Sequence, residues 1–440
     1  MRRFKIYTLG CKVNQYETEA VEEMLEGEGY ILDTEEDADV VLINTCTVTN
    51  ESDRKSRQII RRHKRKNPHC KVVVFGCYAQ VSQEEVAKIE GVDLVLGTKN
   101  RRELPRHLDE LFKGSDQIID VEQHAQGDPF ESLAIKEVEG RTRAYMKVQD
   151  GCNQYCSYCI IPYARGFIRS RDIEDAVKEA ERLGKNGFRE VVLTGIHIGS
   201  YGKDLEGDLS LVDLIEAIDG VKGIDRIRLS SVEPMTITDE FLKRVKELNS
   251  FMPHFHLSLQ SGAAQTLKAM NRKYTPDEYR KTVKRIRNYY PDAGITTDVI
   301  VGFPGETDED FKESYDFVKE MAFSDLHVFP YSRRKNTPAA KRSDQVHGDV
   351  KKERAREMIE LGNKMHHAFI EKLAGKTYPV LFEEEKDDFY FGYTPNYLRI
   401  AVRCDKNLHN RLEYVTIEGE DEGQLTGRVG KENEHGLSVL

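Results

Sequence analysis

Apolar residues in this chain fall into three kinds of pattern, one after another. In the first hundred residues, Phe4–Leu9, Asp39–Asn44 and Lys71–Phe75 are short runs rich in Val, Ile and Leu without polar alternation. Strands buried on both faces read this way. Helix-length stretches separate them, and a β-α-β-α-β order predicts an open, mostly parallel sheet. The pattern fades near Gly114. From 115 the chain turns polar and acidic, with Gly127-Asp128-Pro129, and reads as a linker carrying a short strand at Gln117–Val121. A second series follows at Arg143–Val148, Glu190–Leu193, Arg226–Ser230, His254–Leu259, Thr297–Val301 and Asp325–Phe329. Helical periodicity separates most of these, as at Ile173–Asn186 and Thr275–Tyr289. Six β-α units imply a partial barrel of parallel strands, because a closed eight-unit barrel needs more chain. From Glu371 the helices stop. Thr377–Phe382, Phe389–Tyr393, Tyr397–Val402, Leu412–Ile417 and Gln424–Val429 predict a small all-β Greek-key barrel. The expected organisation is α/β: a sheet domain over 1–114, a linker over 115–137, a partial (β/α)6 barrel over 138–368 and an all-β barrel over 371–440.

Length and charge refine this picture. The chain has 440 residues, enough for two or three domains. Its net charge of −10 argues against a general nucleic-acid binder. The distribution says more than the sum. Arg54 to Lys66 reads RKSRQIIRRHKRK, with eight Lys or Arg, and Asn67-Pro68 ends it. It predicts a helix leaving the turn at Cys46. Such a run is either a solvated face or a phosphate-binding one, and Arg54, Arg61, Arg62 and Arg65 are its candidate RNA contacts. Arg165–Arg171 and Arg333-Arg334-Lys335 are further basic stretches. From Glu371 onward there are 9 Lys or Arg against 14 Asp or Glu, so RNA there requires a local patch. Arg399, with Tyr393, Tyr397 and Arg403, is the candidate; core tyrosines explain the pattern equally well. The N-terminus MRRFKIYTLGC offers no signal-peptide stretch and no run approaches a membrane span, so a cytoplasmic protein is expected.

Cysteine spacing supplies the chemistry. Cys152, Cys156 and Cys159 lie in CNQYCSYC. Three thiolates can hold three corners of a cubane iron–sulfur cluster and leave one iron open to a ligand. Structural zinc, the bland alternative, normally takes four protein ligands. Cys11, Cys46 and Cys77 each follow a predicted strand by one or two residues. Ligand sites gather at the carboxyl ends of strands in open parallel sheets, so these three thiols should converge. Cys70 and Cys404 have no clustered partner and read as ordinary small residues. No disulfide framework and no Ser–His–Asp arrangement is evident.

CNQYCSYC, with aromatic Tyr158 before the last cysteine, resembles the signature of radical S-adenosylmethionine (SAM) enzymes. In that family SAM chelates the open iron, and its reductive cleavage gives a 5′-deoxyadenosyl radical. Two cysteine triplets in this order resemble the methylthiotransferases, in which the first triplet holds an auxiliary cluster. The resemblance covers nearly the whole chain. GCKVN is similar to the MtaB branch, whereas the isopentenyl-adenosine branch usually shows GCQMN and the ribosomal-protein branch GCPKN. The C-terminal segment resembles the TRAM RNA-binding module. The resemblance implies two 4Fe–4S clusters, SAM, an electron donor such as flavodoxin or ferredoxin, and a tRNA anticodon loop as partner. The implied reaction adds a methylthio group to carbon 2 of N6-threonylcarbamoyladenosine at position 37. Candidate SAM contacts at strand ends are Tyr158, Thr194, Gly195, Ser231, Glu233, Gln260, Asp298 and Gly302. The alternatives are methylthiolation of isopentenyladenosine or of a ribosomal-protein aspartate, an electron-transfer protein with closed clusters, and an RNA scaffold with structural clusters.

Overall fold

A computed structural model of the chain describes residues 2–33, 37–47, 50–133, 141–421 and 423–430. The first unit is one six-stranded sheet of β1 (Arg3–Thr8), β2 (Ile31–Leu32), β3 (Val40–Thr45), β4 (Lys71–Gly76), β5 (Leu94–Leu96) and β6 (Ile118–Asp120), in the order β2-β1-β3-β4-β5-β6. Every neighbouring pair is parallel. The inner strands β3, β4 and β5 are nearly unbroken buried runs because both faces are covered. Phe4, Leu42, Val73 and Phe75 pack into one core, and Val41, Ile43, Val72 and Val74 into the other. The sheet runs past Gly114, since β6 forms its edge from within the stretch read as a linker. The boundary expected between residues 137 and 138 lies outside the described residues.

The central unit contains β7 (Arg143–Asp150), β8 (Arg169–Ser170), β9 (Glu190–Gly195), β10 (Arg226–Leu229), β11 (His254–His256), β12 (Gly294–Val301) and β13 (Asp325–Pro330). They form the sheets β10-β9-β7-β8 and β11-β12-β13. Single bridges at Ile227–Phe251 and Val232–Leu257 join the two. Six parallel strands therefore make one curved wall, with β8 returning antiparallel beside β7. Met146, Val148, Leu193, Ile227, Phe255 and Val299 pack outward into the largest core. The alternate positions Tyr145, Lys147, Glu190, Arg228, His256 and Asp298 belong to the other face, so the lumen is polar.

The helix Gly348–Leu373 packs on β13 and leads into the last unit. There β14 (Thr377–Lys386), β15 (Phe389–Tyr393), β16 (Arg399–Val402), β17 (Leu412–Asp421) and β18 (Gln424–Val429) close a barrel in the order β14-β15-β16-β18-β17. This barrel covers the amino ends of the central strands. Arg143 pairs with Glu383 at 2.7 Å. Arg226 donates to the carbonyls of Tyr393 and Pro379 at 2.8 and 2.7 Å. The Tyr397 ring stacks on His254 with centroids 4.6 Å apart. Among the described residues, no helix is long and apolar enough to cross a membrane.

Candidate metal centres and the lumen beside them

Gly151 turns the chain from β7 into the loop that carries Cys152, Cys156 and Cys159. Its φ is +73°, and a Cβ there would lie 1.7 Å from the Phe167 carbonyl oxygen, so no other residue fits. The loop is tied across the wall. Ser157 N–H donates to the Met270 carbonyl at 2.9 Å, its hydroxyl to that of Ala269 at 2.8 Å, and its own carbonyl accepts from Ala339 N–H at 2.8 Å. Arg272 binds the loop chemically: Nη1 lies 3.2 Å from Cys156 Sγ, and Nη2 donates to both Glu233 oxygens at 2.7 and 2.6 Å. Sequence reading missed Arg272, because no local signal in NRKY marks a residue that acts 116 positions away.

The other three cysteines meet at the carboxyl edge of the first sheet. Cys11 is the N-cap of the helix Lys12–Gly27, Cys46 directly follows β3, and Cys77 opens the helix Cys77–Val81. Gly10 stands so close that a Cβ on it would lie 2.9 Å from Cys46 Cβ. Burial, with a smaller push from the neighbouring Cys46 and Cys11, raises the Cys77 thiol to about 12 against the lowering by Arg165. Burial likewise pushes Cys159 up to about 12, with Cys156 and Cys152 adding to the shift. Thiols so placed ionise when a metal takes them as ligands.

Donor set and spacing fit iron–sulfur clusters. All six cysteines are free. Among the described residues, the group of three candidate ligands with all ligand atoms within 4.8 Å is His256, Asp298 and His327, not either cysteine triplet. Tetrahedral zinc, with Zn–S of about 2.3 Å, requires sulfurs about 3.8 Å apart. A cubane offers each thiolate its own iron and accepts a wider triplet.

Among the remaining site candidates, Tyr158 packs edge-on to Phe303, centroids 6.5 Å apart, beside Gly302. Gly302 has φ +68°, and a Cβ there would lie 2.1 Å from Lys351 Cγ; its N–H donates to Glu306 at 2.8 Å. Thr194 is buried and Gly195 exposed in part at the end of β9, where a Cβ on Gly195 would lie 2.9 Å from Gln149. Gln260, with φ +68°, bonds through its backbone to Asp298 and Ile300. Glu233 lies at the cysteine loop through Arg272, while Ser231 is exposed. Asp298 sits in mid-strand, its carboxylate 3.3 Å from His256 Nε2.

The helix Asn50–Lys66 forms, and Arg54, Arg61, Arg62 and Arg65 are exposed on it. Arg399 is exposed, paired with Glu384 at 2.9 Å and lying 4.0 Å over the Phe391 ring. Three other readings of basic or aromatic residues need correction. Arg165, Arg169 and Arg171 are buried and cannot meet phosphates. They neutralise internal carboxylates: Arg165 pairs with Glu17 and Asp150, Arg169 with Asp150, and Arg171 with Glu179 and Asp175. Arg334 is buried as well. Tyr393 and Tyr397 stack on each other, centroids 4.8 Å apart, at the contact with the central strands rather than on an open RNA face.

Two family models match the chain: the Radical SAM superfamily over residues 146–318 and Uncharacterized protein family UPF0004 over residues 3–97. The chain is 42% identical over 424 residues to the threonylcarbamoyladenosine tRNA methylthiotransferase MtaB of Bacillus subtilis, covering 95% of this chain and 94% of that one. It is 42% identical to the MtaB of Aquifex aeolicus, covering 86% and 92%. It is 37% identical to the tRNA-2-methylthio-N(6)-dimethylallyladenosine synthase of Pelotomaculum thermopropionicum, covering 97% of each. Among solved structures, the radical SAM methyltransferase TsrM of Kitasatospora setae aligns with a TM-score of 0.58 over 77% of each chain at 17% identity, which is a likeness of fold. With its cysteine triplets at two strand-end edges and relatives matching it nearly end to end, the chain belongs to the radical SAM methylthiotransferase family.

Proposed function

We propose that this protein replaces the hydrogen on carbon 2 of N6-threonylcarbamoyladenosine, at position 37 in the anticodon loop of tRNA, with a methylthio group. The carrying observation is the pair of three-cysteine sites, each one ligand short of a closed cubane, on two units that meet where the helix Lys12–Gly27 packs against β7 and β9. The GCKVN string and the relatives that bear that substrate in their names support it. Cys152, Cys156 and Cys159 hold the SAM-binding cluster, and Cys11, Cys46 and Cys77 hold the auxiliary one. Bound there, the clusters and SAM would supply radical and sulfur-donor chemistry, which an unactivated C–H bond demands because no side-chain acid or base can attack it.

The chain's own residues bind and orient. Arg272 fixes Cys156 and Glu233 in one hydrogen-bonded unit beside the SAM loop. Arg54, Arg61, Arg62 and Arg65 meet tRNA phosphates, which position the substrate without taking part in bond breaking. A small reduced carrier such as a flavodoxin or ferredoxin delivers the electron, in the cytoplasm.

Mass spectrometry of tRNA nucleosides, from reconstituted enzyme with SAM and reductant, tests the reading. The expected product is the 2-methylthio form of threonylcarbamoyladenosine. Anaerobically loaded protein should carry about eight irons, the content of two cubanes. Replacing Cys152, Cys156 and Cys159 by Ala should remove about half of them and abolish SAM cleavage. The same change at Cys11, Cys46 and Cys77 should remove the other half and spare SAM cleavage. Unchanged iron in either variant would sink the cluster assignment. Methylthiolation of isopentenylated tRNA at a comparable rate would move the chain to the other tRNA branch.

A further inference from the structure

Lys12 follows Cys11 and is the first residue of the helix Lys12–Gly27. That helix belongs to the first sheet but packs against β7 and β9 of the barrel. Lys12 crosses this junction. Its ammonium lies over the ring of Tyr145, 5.9 Å from the centroid. The charged groups near enough to act on it electrostatically are Arg143, Arg228, Glu190 and Asp298, from β7, β10, β9 and β12. One side chain from the auxiliary-cluster unit thus reaches the lumen of the SAM unit.

The groups around Lys12 are paired. Glu190 accepts from Arg228 at 2.9 and 3.2 Å, with Arg143 and Arg226 each 3.8 Å away. Arg143 also meets Glu383. Asp298 faces His256, which in turn bonds Thr296 at 2.8 Å. Among the described residues, the Lys12 ammonium takes part in no hydrogen bond or ion pair; its neighbour is the Tyr145 ring. Lys12, Arg143, Arg226 and Arg228 stand against Glu190, Glu383 and Asp298. The cations exceed the anions by one, and Lys12 is the cation among them without a hydrogen-bonded partner. A half-buried ammonium without an anion leaves a place for a negative group from outside the chain.

We infer that Lys12 is a specificity residue that pairs with the carboxylate of the substrate's N6 substituent. The inference rests on the substrate reading above. A threonylcarbamoyl group ends in one carboxylate, which balances the one uncompensated charge. An isopentenyl group brings none and leaves Lys12 unpaired against an apolar chain, the situation in which a polar site discriminates most strongly. Because Lys12 adjoins Cys11, the same ion pair holds the modified base next to the auxiliary-cluster edge.

The test uses full-length, cluster-loaded enzyme with Lys12→Met and Lys12→Arg. Three tRNAs are compared: one carrying threonylcarbamoyladenosine, the same tRNA with that carboxylate methyl-esterified, and an isopentenylated one. Wild type should prefer the acid over the ester by about 10- to 100-fold in kcat/KM, the worth of one charge-assisted hydrogen bond. Lys12→Met should lose about as much on the acid and nothing further on the ester, and Lys12→Arg should recover most of the loss. Equal losses of Lys12→Met on acid and ester, or no loss on either, overturn the inference while wild-type preference for the acid keeps the substrate reading. A fall in iron content matching the lost activity reassigns Lys12 to the cluster and also overturns it. Wild type that works on isopentenylated tRNA and not on the acid overturns both.

Discussion

Glu17 is fully buried where the first sheet's helix meets the SAM unit. It receives Lys147 and Arg101 at 2.8 Å each, together with Arg165. Arg165 also points Nε at Cys77 Sγ, 3.1 Å away. Burial alone would raise the Glu17 carboxyl, but Arg101, Arg165 and Lys147 overcome it and hold the group below its ordinary value. Its contribution to stability is therefore present above about pH 4.3 and is lost as the pH falls below the unfolded value. Glu17→Gln keeps the shape and leaves three buried cations facing one another. Removing one partner of such a group costs about 3–5 kcal/mol. Urea unfolding of the holoprotein should show a correspondingly lower midpoint with an unchanged slope, and a midpoint within error of wild type would mean that the junction is held by packing instead. None of this network was legible in the chain, because Glu17 meets partners far along it, Lys147 at 130 positions and Arg165 at 148. The six cysteines were legible, because a cluster loop is local in sequence and a strand-end cysteine follows its own apolar run. Arg165 was misread for the same reason: a buried arginine and a phosphate-binding one look alike until their partners are placed.

At the scale of elements, the strands read best where burial on both faces leaves an unbroken apolar run. β1, β3 and β4 lie within one or two residues of the stretches the pattern marks. β2, β5 and β8 are two or three residues long and carry no period to read. β11 ends at His256 rather than Leu259, and beyond it the chain keeps its place through bridges at Leu257 and Gln260. The helix Asn50–Lys66 shows two faces. Ser56, Ile60 and His63 are buried, and His63 bonds the Tyr7 hydroxyl at 2.7 Å. Lys64 is engaged with Asp93 at 2.8 Å and with the Cys70 carbonyl at 2.6 Å, so it does not belong to an RNA face. Arg61, Arg62 and Arg65 are exposed. Changing these three to Gln, a comparable helix former, should leave the fold and iron content intact. It should weaken tRNA binding and flatten the dependence of log K on log salt by about two, if each phosphate contact carries about 0.7–0.9. Filter binding between low and moderate salt reads this directly. A wild-type slope would make the helix a solvated face and send tRNA elsewhere.

At the scale of the whole molecule, the C-terminal barrel is a floor for the lumen as well as a module of its own. The sequence showed five strands and a Tyr–Arg surface but not what that surface meets, because register and docking are not periodic properties. The contact is built from arginines that donate to backbone carbonyls. Arg228 reaches Pro395 at 2.9 Å, Arg189 reaches Asn410 at 3.2 Å, and Arg226 bonds Tyr393 and Pro379. In the other direction Tyr378 and Lys376 hold Asp292 at 2.9 and 2.6 Å, and Asn396 donates to the Asp292 carbonyl at 2.9 Å. Carbonyl acceptors at these fixed positions exist only while the small barrel is folded and in place. A chain ending at Leu373 would leave Arg143, Arg226 and Arg228 without their barrel partners at the amino end of the central strands. Leaving buried charges unsatisfied is more damaging than never having had them. The truncated protein should therefore melt at least about 5 °C lower than the full chain, or fail to fold. The full chain should resist limited proteolysis between Leu373 and Thr377. A truncated chain with unchanged melting temperature and undiminished SAM cleavage would show instead that the barrel is an appended RNA module, and that the arginines at the lumen floor are satisfied without it.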